Sequence, residues 1–359
     1  MDAKQVALPR HDLPLDTLAL LPLDALEQSA GFDLQPVVAV VNLSPGWGRG
    51  CPGTARLFPK PEIKLSDELS HHRSMRGAAF KPVRLIPFVG QSGEPSFRLR
   101  GGHRFWTAPE STQTYEADNH AVSYQVSGHR VELLAPPFFG LRKTLVIEAL
   151  TPSLFRVRHG LRNVSAAPIS RAAWALSVMA PGGLAILPQP PLRSHPSILP
   201  AGTPWRDEDL LPNRRLVLWP YTDLGDPRLR LRGRLWTVEQ RCDLGPLKLG
   251  LYDQTAGRDV LTGLAAYQLG SSVFVKTVPV CSSQVYPDLG AAFELYTDAN
   301  FLELETLGPL TTLLPDVTCW HDELWLVRDS AAPLRDEAVG LPFLTDALRC
   351  FADHGFPSS

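Results

Sequence analysis

Thirty-four prolines spread through 359 residues are the strongest constraint on what this chain can fold into. Proline fixes φ and lacks the amide hydrogen that helix interiors and central strands require. Long helices are therefore disfavoured over most of the length, and the apolar runs between prolines read as short strands joined by turns. The clearest of these lie at Ala291 to Thr297, Phe301 to Leu307 and Val317 to Val327, with Asp298-Ala299-Asn300 and Gly308-Pro309 as punctuation. Side chains alternate faces along a strand, so Glu303 and Glu305 share one face of their run while Leu302 and Leu304 share the other. Two carboxylates two positions apart lie about 7 Å from each other. Under a concave surface that pair would do acid–base chemistry; under water it is an ordinary solvated strand face.

Earlier strands follow the same logic. Val83 to Ile86 and Phe97 to Leu99 lead into RGGHRFWTAPE (Arg100 to Glu110), where a Gly-Gly pair lets backbone pass close to a ligand. His103, Arg104 and Trp106 follow it, polar and aromatic groups suited to binding. A polar turn containing Asp118 and His120 precedes the strand Ala121 to Val126. Lys143 to Ala149 and Leu154 to Asn163 form a hairpin around Thr151-Pro152-Ser153. In its second strand Phe155, Val157, His159 and Leu161 share a face, which reads His159 as a core histidine and Arg156, Arg158 and Arg162 as a solvated outer face. Ile169 to Met179 is a further buried strand. Leu187 to Asn213 holds seven prolines in 27 residues and is a long irregular connection. Strands resume at Leu216 to Leu218, Arg228 to Val238, Leu247 to Leu251, Gly263 to Tyr267 and Val273 to Val278. Lys276 shares a face with Phe274 and Val278, which means either a side chain snorkelling to the sheet edge or a cationic ligand contact.

The ends differ from this pattern. Residues 1–76 are an irregular segment in which only Gln35 to Leu43 resembles a buried strand. His71-His72 there is a poor metal site, because adjacent residues diverge. Residues 77–330 read as one large β-sandwich domain. Residues 331–359 form a short helix, Leu341 to Asp353 with Thr345 as its N-cap, and a polar tail.

Several classes of function are disfavoured. Net charge of −2 and a pI near 6.6 give no electrostatic attraction to nucleic acid or anionic membrane. Five scattered cysteines with no CxxC spacing argue against a disulfide framework or a zinc site. No apolar run approaches a membrane span, and no secretory leader is evident. The expectation is a cytoplasmic, all-β protein with no cofactor and no metal, since no phosphate-binding loop or dinucleotide fingerprint is present.

At RGGHRFWTAPE, WALSVMAPGG, YPDLGAAFELYTDANFLELETLGPL and HDELW, in that order from about Val83 to Val327, the chain resembles a bacterial family of unknown function related to the galactose mutarotases. The resemblance implies a large antiparallel supersandwich with a sugar held in a groove, and an isomerase activity of aldose 1-epimerase type. In that chemistry a glutamate takes the proton of the anomeric hydroxyl, and a histidine protonates the ring oxygen. Glu305 falls where the base would lie, with Glu303 as its neighbour in a shifted register. The chain departs from the pattern at the acid: Asn163 to Ala173 leads into Trp174 where mutarotases carry histidine. His103 and His120 are the displaced candidates. Arg104, Trp106, Asp118, His120, Trp174 and Lys276 are the expected substrate contacts. The alternatives are a non-catalytic sugar-binding or regulatory module, favoured by Trp174, and a polysaccharide lyase or hydrolase relative. The last is disfavoured because Glu303 and Glu305 lie side by side rather than across a cleft.

Overall fold

The computed structural model describes residues 11–13, 102–111, 114, 122–192, 194–253, 263–281 and 283–355. The sequence-based strands at Gln35 to Leu43, Val83 to Ile86 and Phe97 to Leu99, the pair His71-His72, and the candidates Asp118 and His120 lie outside the described residues. The chain groups into two compact units, Met1–Ala180 with Thr311–His321, and Pro181–Leu310 with Asp322–Ser359. Both are built almost entirely of antiparallel strands, numbered in chain order below.

In the first unit, β1 (His11–Leu13), β3 (Val122–Ser127), β4 (Arg130–Leu134), β5 (Leu141–Thr151) and β6 (Leu154–Asn163) are neighbours in that order. A second set joins β2 (Gly102–Ala108) and β17 (Thr311–Leu313) to β7 (Ile169–Met179). The β5–β6 hairpin behaves as its alternation requires. Phe155, Val157, His159 and Leu161 are fully buried, while Arg156 pairs with Glu148 at 3.4 Å and Arg162 with Asp316 at 2.9 Å on the other face. Phe105, Leu141, Leu161, Ala173 and Leu313 pack together as a core cluster.

In the second unit, β14 (Ser272–Thr277), β13 (Leu264–Leu269), β8 (Leu184–Pro188), β11 (Leu235–Glu239) and β10 (Leu229–Arg230) are successive neighbours. The distal half of β18 (Thr318–Asp329) pairs with β14 from Leu324 to Asp329. The other set is β16 (Leu302–Leu307), β15 (Phe293–Thr297), β12 (Leu247–Asp253) and β9 (Arg214–Leu218).

One helix of the second unit, α1 (Glu337–Asp353), starts earlier than its sequence indicates. Asp336, not Thr345, is the N-cap, its carboxylate accepting from Ala338 N at 3.0 Å. Thr345 lies inside the helix and bonds back to Leu341 O at 2.8 Å. The helix runs through Pro342, which sits in its interior, and so extends four residues upstream of the Leu341 start read from the sequence. Gly340, Leu344, Ala347 and Phe351 form the buried stripe of α1. A side chain at Gly340 would come within 2.2 Å of Leu334 O and 2.6 Å of Leu235, so only glycine permits this approach. Among the described residues no helix is long and apolar enough to cross a membrane.

Candidate functional site

Glu303 and Glu305 share a face of β16, as alternation dictates, but that face is not solvated: Glu303 is buried and Glu305 is fully buried. The turn at Asp298 to Asn300 folds β15 onto β16 so that Glu294 stands opposite Glu305 and Tyr296 opposite Glu303. The next strand brings Lys248 opposite Tyr296 and Gly250 opposite Glu294. One face of β12, β15 and β16 therefore carries Lys248, Gly250, Glu294, Tyr296, Glu303 and Glu305. The opposite face carries Leu247, Leu249, Phe293, Leu295, Leu302 and Leu304, all buried.

Lys248 organises the polar face. Its ammonium lies 2.7 Å from Glu294 Oε2 and donates to Glu305 Oε2 at 3.1 Å. The Trp219 ring covers it, with Nζ 4.7 Å from the ring centroid. Trp219 is positioned by a turn closed from Thr222 N to Trp219 O at 2.9 Å. That turn is tied to β12 because Thr222 Oγ1 donates to Lys248 O and accepts from Lys248 N. Gly250 makes room for the indole, since a Cβ there would meet Trp219 at 3.2 Å, Val217 at 3.1 Å and Ala291 at 2.9 Å.

The carboxylates are not equivalent. Burial pushes the Glu294 carboxyl well above the usual range; Lys248 pulls it down and Glu305 pushes it further up. The Glu294 carboxyl group is in contact with the Lys248 ammonium, 2.7 Å from its Oε2, and with Asp288. Asp288, on the turn before β15, is also raised by burial and is coupled to Glu294, Lys248 and Glu305. Asp288 and Tyr296 are half-buried, and Tyr221 beside Tyr296 is exposed. Arg215 secures the Asp288 turn by donating to Leu289 O at 2.8 Å and Gly290 O at 3.4 Å.

A second buried polar cluster lies in the same unit. Lys276, on β14, does not snorkel; it is fully buried and pairs with Glu323 at 2.8 Å while donating to Leu304 O at 3.2 Å. Thr306 Oγ1 and Trp325 Nε1 also donate to the Glu323 carboxylate. Burial lowers the Lys276 pKa, opposed first by Glu323 and more distantly by Glu305. The lysine is enclosed among protein acceptors, the arrangement of an internal ion pair rather than an open ligand contact.

In the first unit, Gly102–Ala108 is strand β2. Alternation therefore splits the expected trio: His103 points one way, Arg104 and Trp106 the other. His103 is buried, with Nε2 2.7 Å from His159 Nε2 and Nδ1 3.1 Å from Ser177 Oγ. His159 Nδ1 donates to His321 O at 2.9 Å, so His159 is the satisfied core histidine its apolar face implied. Arg104 lies 4.4 Å over Trp106, and Trp106 packs edge-on against its cross-strand partner Trp174 at 5.8 Å. Both indoles are buried.

Lys248, Glu294, Asp288 and Trp219 are the site residues that sequence reasoning missed. Glu294 was only partly accessible to it: a hairpin pairs residues equidistant from its turn, but the turn that pairs Glu294 with Glu305 is Asp298 to Phe301, one residue longer than the Asp298 to Asn300 read from the sequence. Lys248 carried only the weak signal of a lysine alternating with Leu247 and Leu249.

No protein-family model matches the chain, and no curated protein matches it. Similar solved structures include mutarotase-like and epimerase-like proteins. The Slr1438 protein of Synechocystis sp. PCC 6803 is 12% identical, with 66% of this chain and 81% of that one covered and a TM-score of 0.40. A candidate aldose 1-epimerase of Escherichia coli K12 is 12% identical, with 60% and 72% covered and a TM-score of 0.38. A galactose mutarotase-like protein of Lactobacillus casei ATCC 334 is 12% identical, with 64% and 85% covered and a TM-score of 0.40.

Proposed function

We propose that the second unit binds a small sugar on the face carrying Lys248, Glu294 and Glu305 and interconverts its anomers by general acid–base catalysis. The observation that carries this reading is the pair Glu294 and Glu305: two carboxyl groups opposite each other on adjacent strands, with burial raising the pKa of Glu294. Such a pair divides the labour of acid and base. Lys248 donates a hydrogen bond to Glu305, an arrangement suited to a base, while burial raises the Glu294 pKa and so favours its protonated form.

In this mechanism Glu305 takes the proton of the anomeric hydroxyl as Glu294 delivers its proton to the ring oxygen. The bond from the anomeric carbon to the ring oxygen breaks, and a carbonyl forms at that carbon. Rotation of the carbonyl and reversal of the two proton transfers close the ring on either face and restore both groups. Glu294 thus supplies the acid that Trp174 cannot. Trp219 offers the apolar platform on which a sugar ring stacks. The turn from Pro287 to Gly290 carries the half-buried Asp288, which neighbours Glu294 and Glu305.

The test is exchange NMR of anomeric protons over a panel of aldoses and uronic acids with the full chain. Accelerated interconversion that falls at least a hundredfold in both Glu305→Gln and Glu294→Gln is expected, in the range for loss of a general acid or base. Binding without exchange would make the protein a sugar-binding module, a reading favoured by the close Lys248–Glu305 pair that restrains the base. Exchange unaffected by Glu305→Gln would overturn the assignment of the base.

A further inference from the structure

We propose that a polar cavity at the start of β8, in the second unit, binds a neutral polyhydroxylated molecule of single-ring size. The cavity shares no lining residue with the face carrying Glu294 and Glu305, and the inference stands independently of the reading above.

The cavity has a volume of about 430 Å³, within the roughly 300–1,000 Å³ of small-molecule sites. It lies between the Gly182-Gly183 pair that ends the WALSVMAPGG stretch and the segment Ala331 to Pro333 that leads to α1. Its base follows from sheet register. Gln268 on β13 and Glu239 on β11 both stand opposite Leu184 on β8, so the three share a face. Gln240 follows directly after β11. At Gly183 the backbone itself is the wall, since a Cβ there would sit 2.4 Å from the Tyr267 ring. Gln268 fixes the opposite wall: its Nε2 donates to Ala332 O at 3.1 Å, and its Oε1 accepts from Leu334 N at 2.8 Å. At the rim, exposed Arg335 pairs with half-buried Glu239 at 3.2 Å.

The lining keeps hydrogen-bonding capacity in reserve. Gln240 and Gln268 are both buried. Gln240 Nε2 donates to Asp298 O at 2.9 Å, and its Oε1 accepts from Gly182 N at 2.7 Å. A carboxamide has two N–H donors and two lone pairs. Each glutamine therefore keeps one donor and one acceptor beyond its bonds among the described residues. Buried polar groups of this kind call for a partner. A hydroxyl donates and accepts at once, so neighbouring hydroxyls on one ring match the paired donor and acceptor of a carboxamide. Glu239 and Arg335 meet through one oxygen and one nitrogen, which leaves the second oxygen and the other guanidinium donors for the same hydroxyls.

Other ligand classes fit less well. Glu239 and Arg335 are the charged side chains of the lining, and they balance. A phosphate or carboxylate would gain the guanidinium but meet the Glu239 carboxylate beside it. An apolar molecule would strip water from both carboxamides and replace none of its bonds. No aromatic side chain is among the lining residues, so a flat base finds no face to stack on.

The experiment is titration calorimetry of the full chain with glucose, galactose and myo-inositol as neutral probes, and glucose 6-phosphate and glycine as charged ones. At least one neutral probe is expected to bind at least tenfold tighter than either charged probe. Ala331→Trp fills the cavity from an exposed position; it should keep the parent's thermal midpoint and lower that affinity at least tenfold. Arg335→Ala should weaken it about tenfold, the range for one hydrogen bond to a charged group. Binding of myo-inositol alongside the hexoses supports a site for polyols at large, and binding of hexoses alone supports one for sugars. Neutral-probe binding unchanged in both variants would overturn the cavity as the site and leave the sugar-binding reading above standing. Tighter binding of a charged probe, or no binding by any neutral probe, would also overturn the inference. Anomer exchange, which tests the reading above, is measured separately and should be unaffected by Ala331→Trp.

Discussion

Glu294 and Glu305 face each other directly across β15 and β16, and a single ammonium, that of Lys248, lies within 2.7 Å of one and 3.1 Å of the other. Two acids that close cannot both stay charged without it. Lys248→Met keeps the length and apolar stem of the side chain and deletes the charge. Its expected cost is about 3–5 kcal/mol at alkaline pH, the range for breaking a buried ion pair. The loss should shrink as pH falls, because protonated carboxyls no longer need the ammonium. Urea unfolding of the variant and parent at acidic and alkaline pH checks this; a pH-independent loss would mean that Lys248 acts through packing alone.

Glu294→Gln tests the raised pKa from the opposite direction. Between the ordinary glutamate pKa and the raised one, the folded protein keeps a proton that the unfolded chain releases. Folding stability then falls as pH rises through that window, by at most about 1.4 kcal/mol per pH unit for one proton. Below the ordinary pKa both states are protonated and the group contributes no slope. The glutamine variant should lose this group's downward slope. A parent and variant with parallel stability–pH curves would refute the assignment.

Much of this fold was legible in the sequence, and the reason is alternation. Ile169 to Met179 and the strand at Leu154 to Asn163 coincide with β7 and β6, and Glu303 and Glu305 do share a face. Alternation says which residues share a face, but not what covers that face. Burial of Glu303 and Glu305 depends on β12 and β15 and on the turn at Asp288, and β12 is more than fifty residues away in sequence. Lys276 was misread for the same reason: its partners, Glu323 on β18 and Leu304 on β16, are not its sequence neighbours. His103, Arg104 and Trp106 were grouped as one ligand surface from their residue types beside a Gly-Gly pair, without applying alternation to the segment. As strand β2, it must send His103 to the opposite face.

The Lys276–Glu323 pair is expected to be strongly coupled. Lys276→Met alone leaves a fully buried carboxylate facing Thr306 and Trp325 as its remaining donors, with an expected cost of about 3–5 kcal/mol. Glu323→Gln alone removes the charge that lies 2.8 Å from the ammonium. The double variant Lys276→Met with Glu323→Gln removes both charges and should be less destabilised than the sum of the singles by 0.5–3 kcal/mol, as for residues in direct contact. A double-mutant cycle from denaturant unfolding measures the coupling directly. Additivity would mean that the pair does not act as a unit.

Gly290 connects the backbone of the second unit to the proposed catalytic face. Its φ of +88° lies in the region where a side chain is strained, and a Cβ there would come within 1.8 Å of Arg215 Nη1. That guanidinium is the clamp on Leu289 O and Gly290 O, and so on the turn carrying Asp288. Gly290→Ala should therefore lose about 1–2 kcal/mol of stability, from backbone conformation and the displaced arginine together. Arg215→Ala removes the clamp without the backbone strain and should cost less stability. Both variants should change sugar binding to a similar degree, because both release the Asp288 turn. Thermal unfolding and calorimetry on the two variants separate the effects. If Gly290→Ala impairs binding while Arg215→Ala does not, Arg215 is not what holds Asp288 in place, and the glycine acts through the backbone of the turn itself.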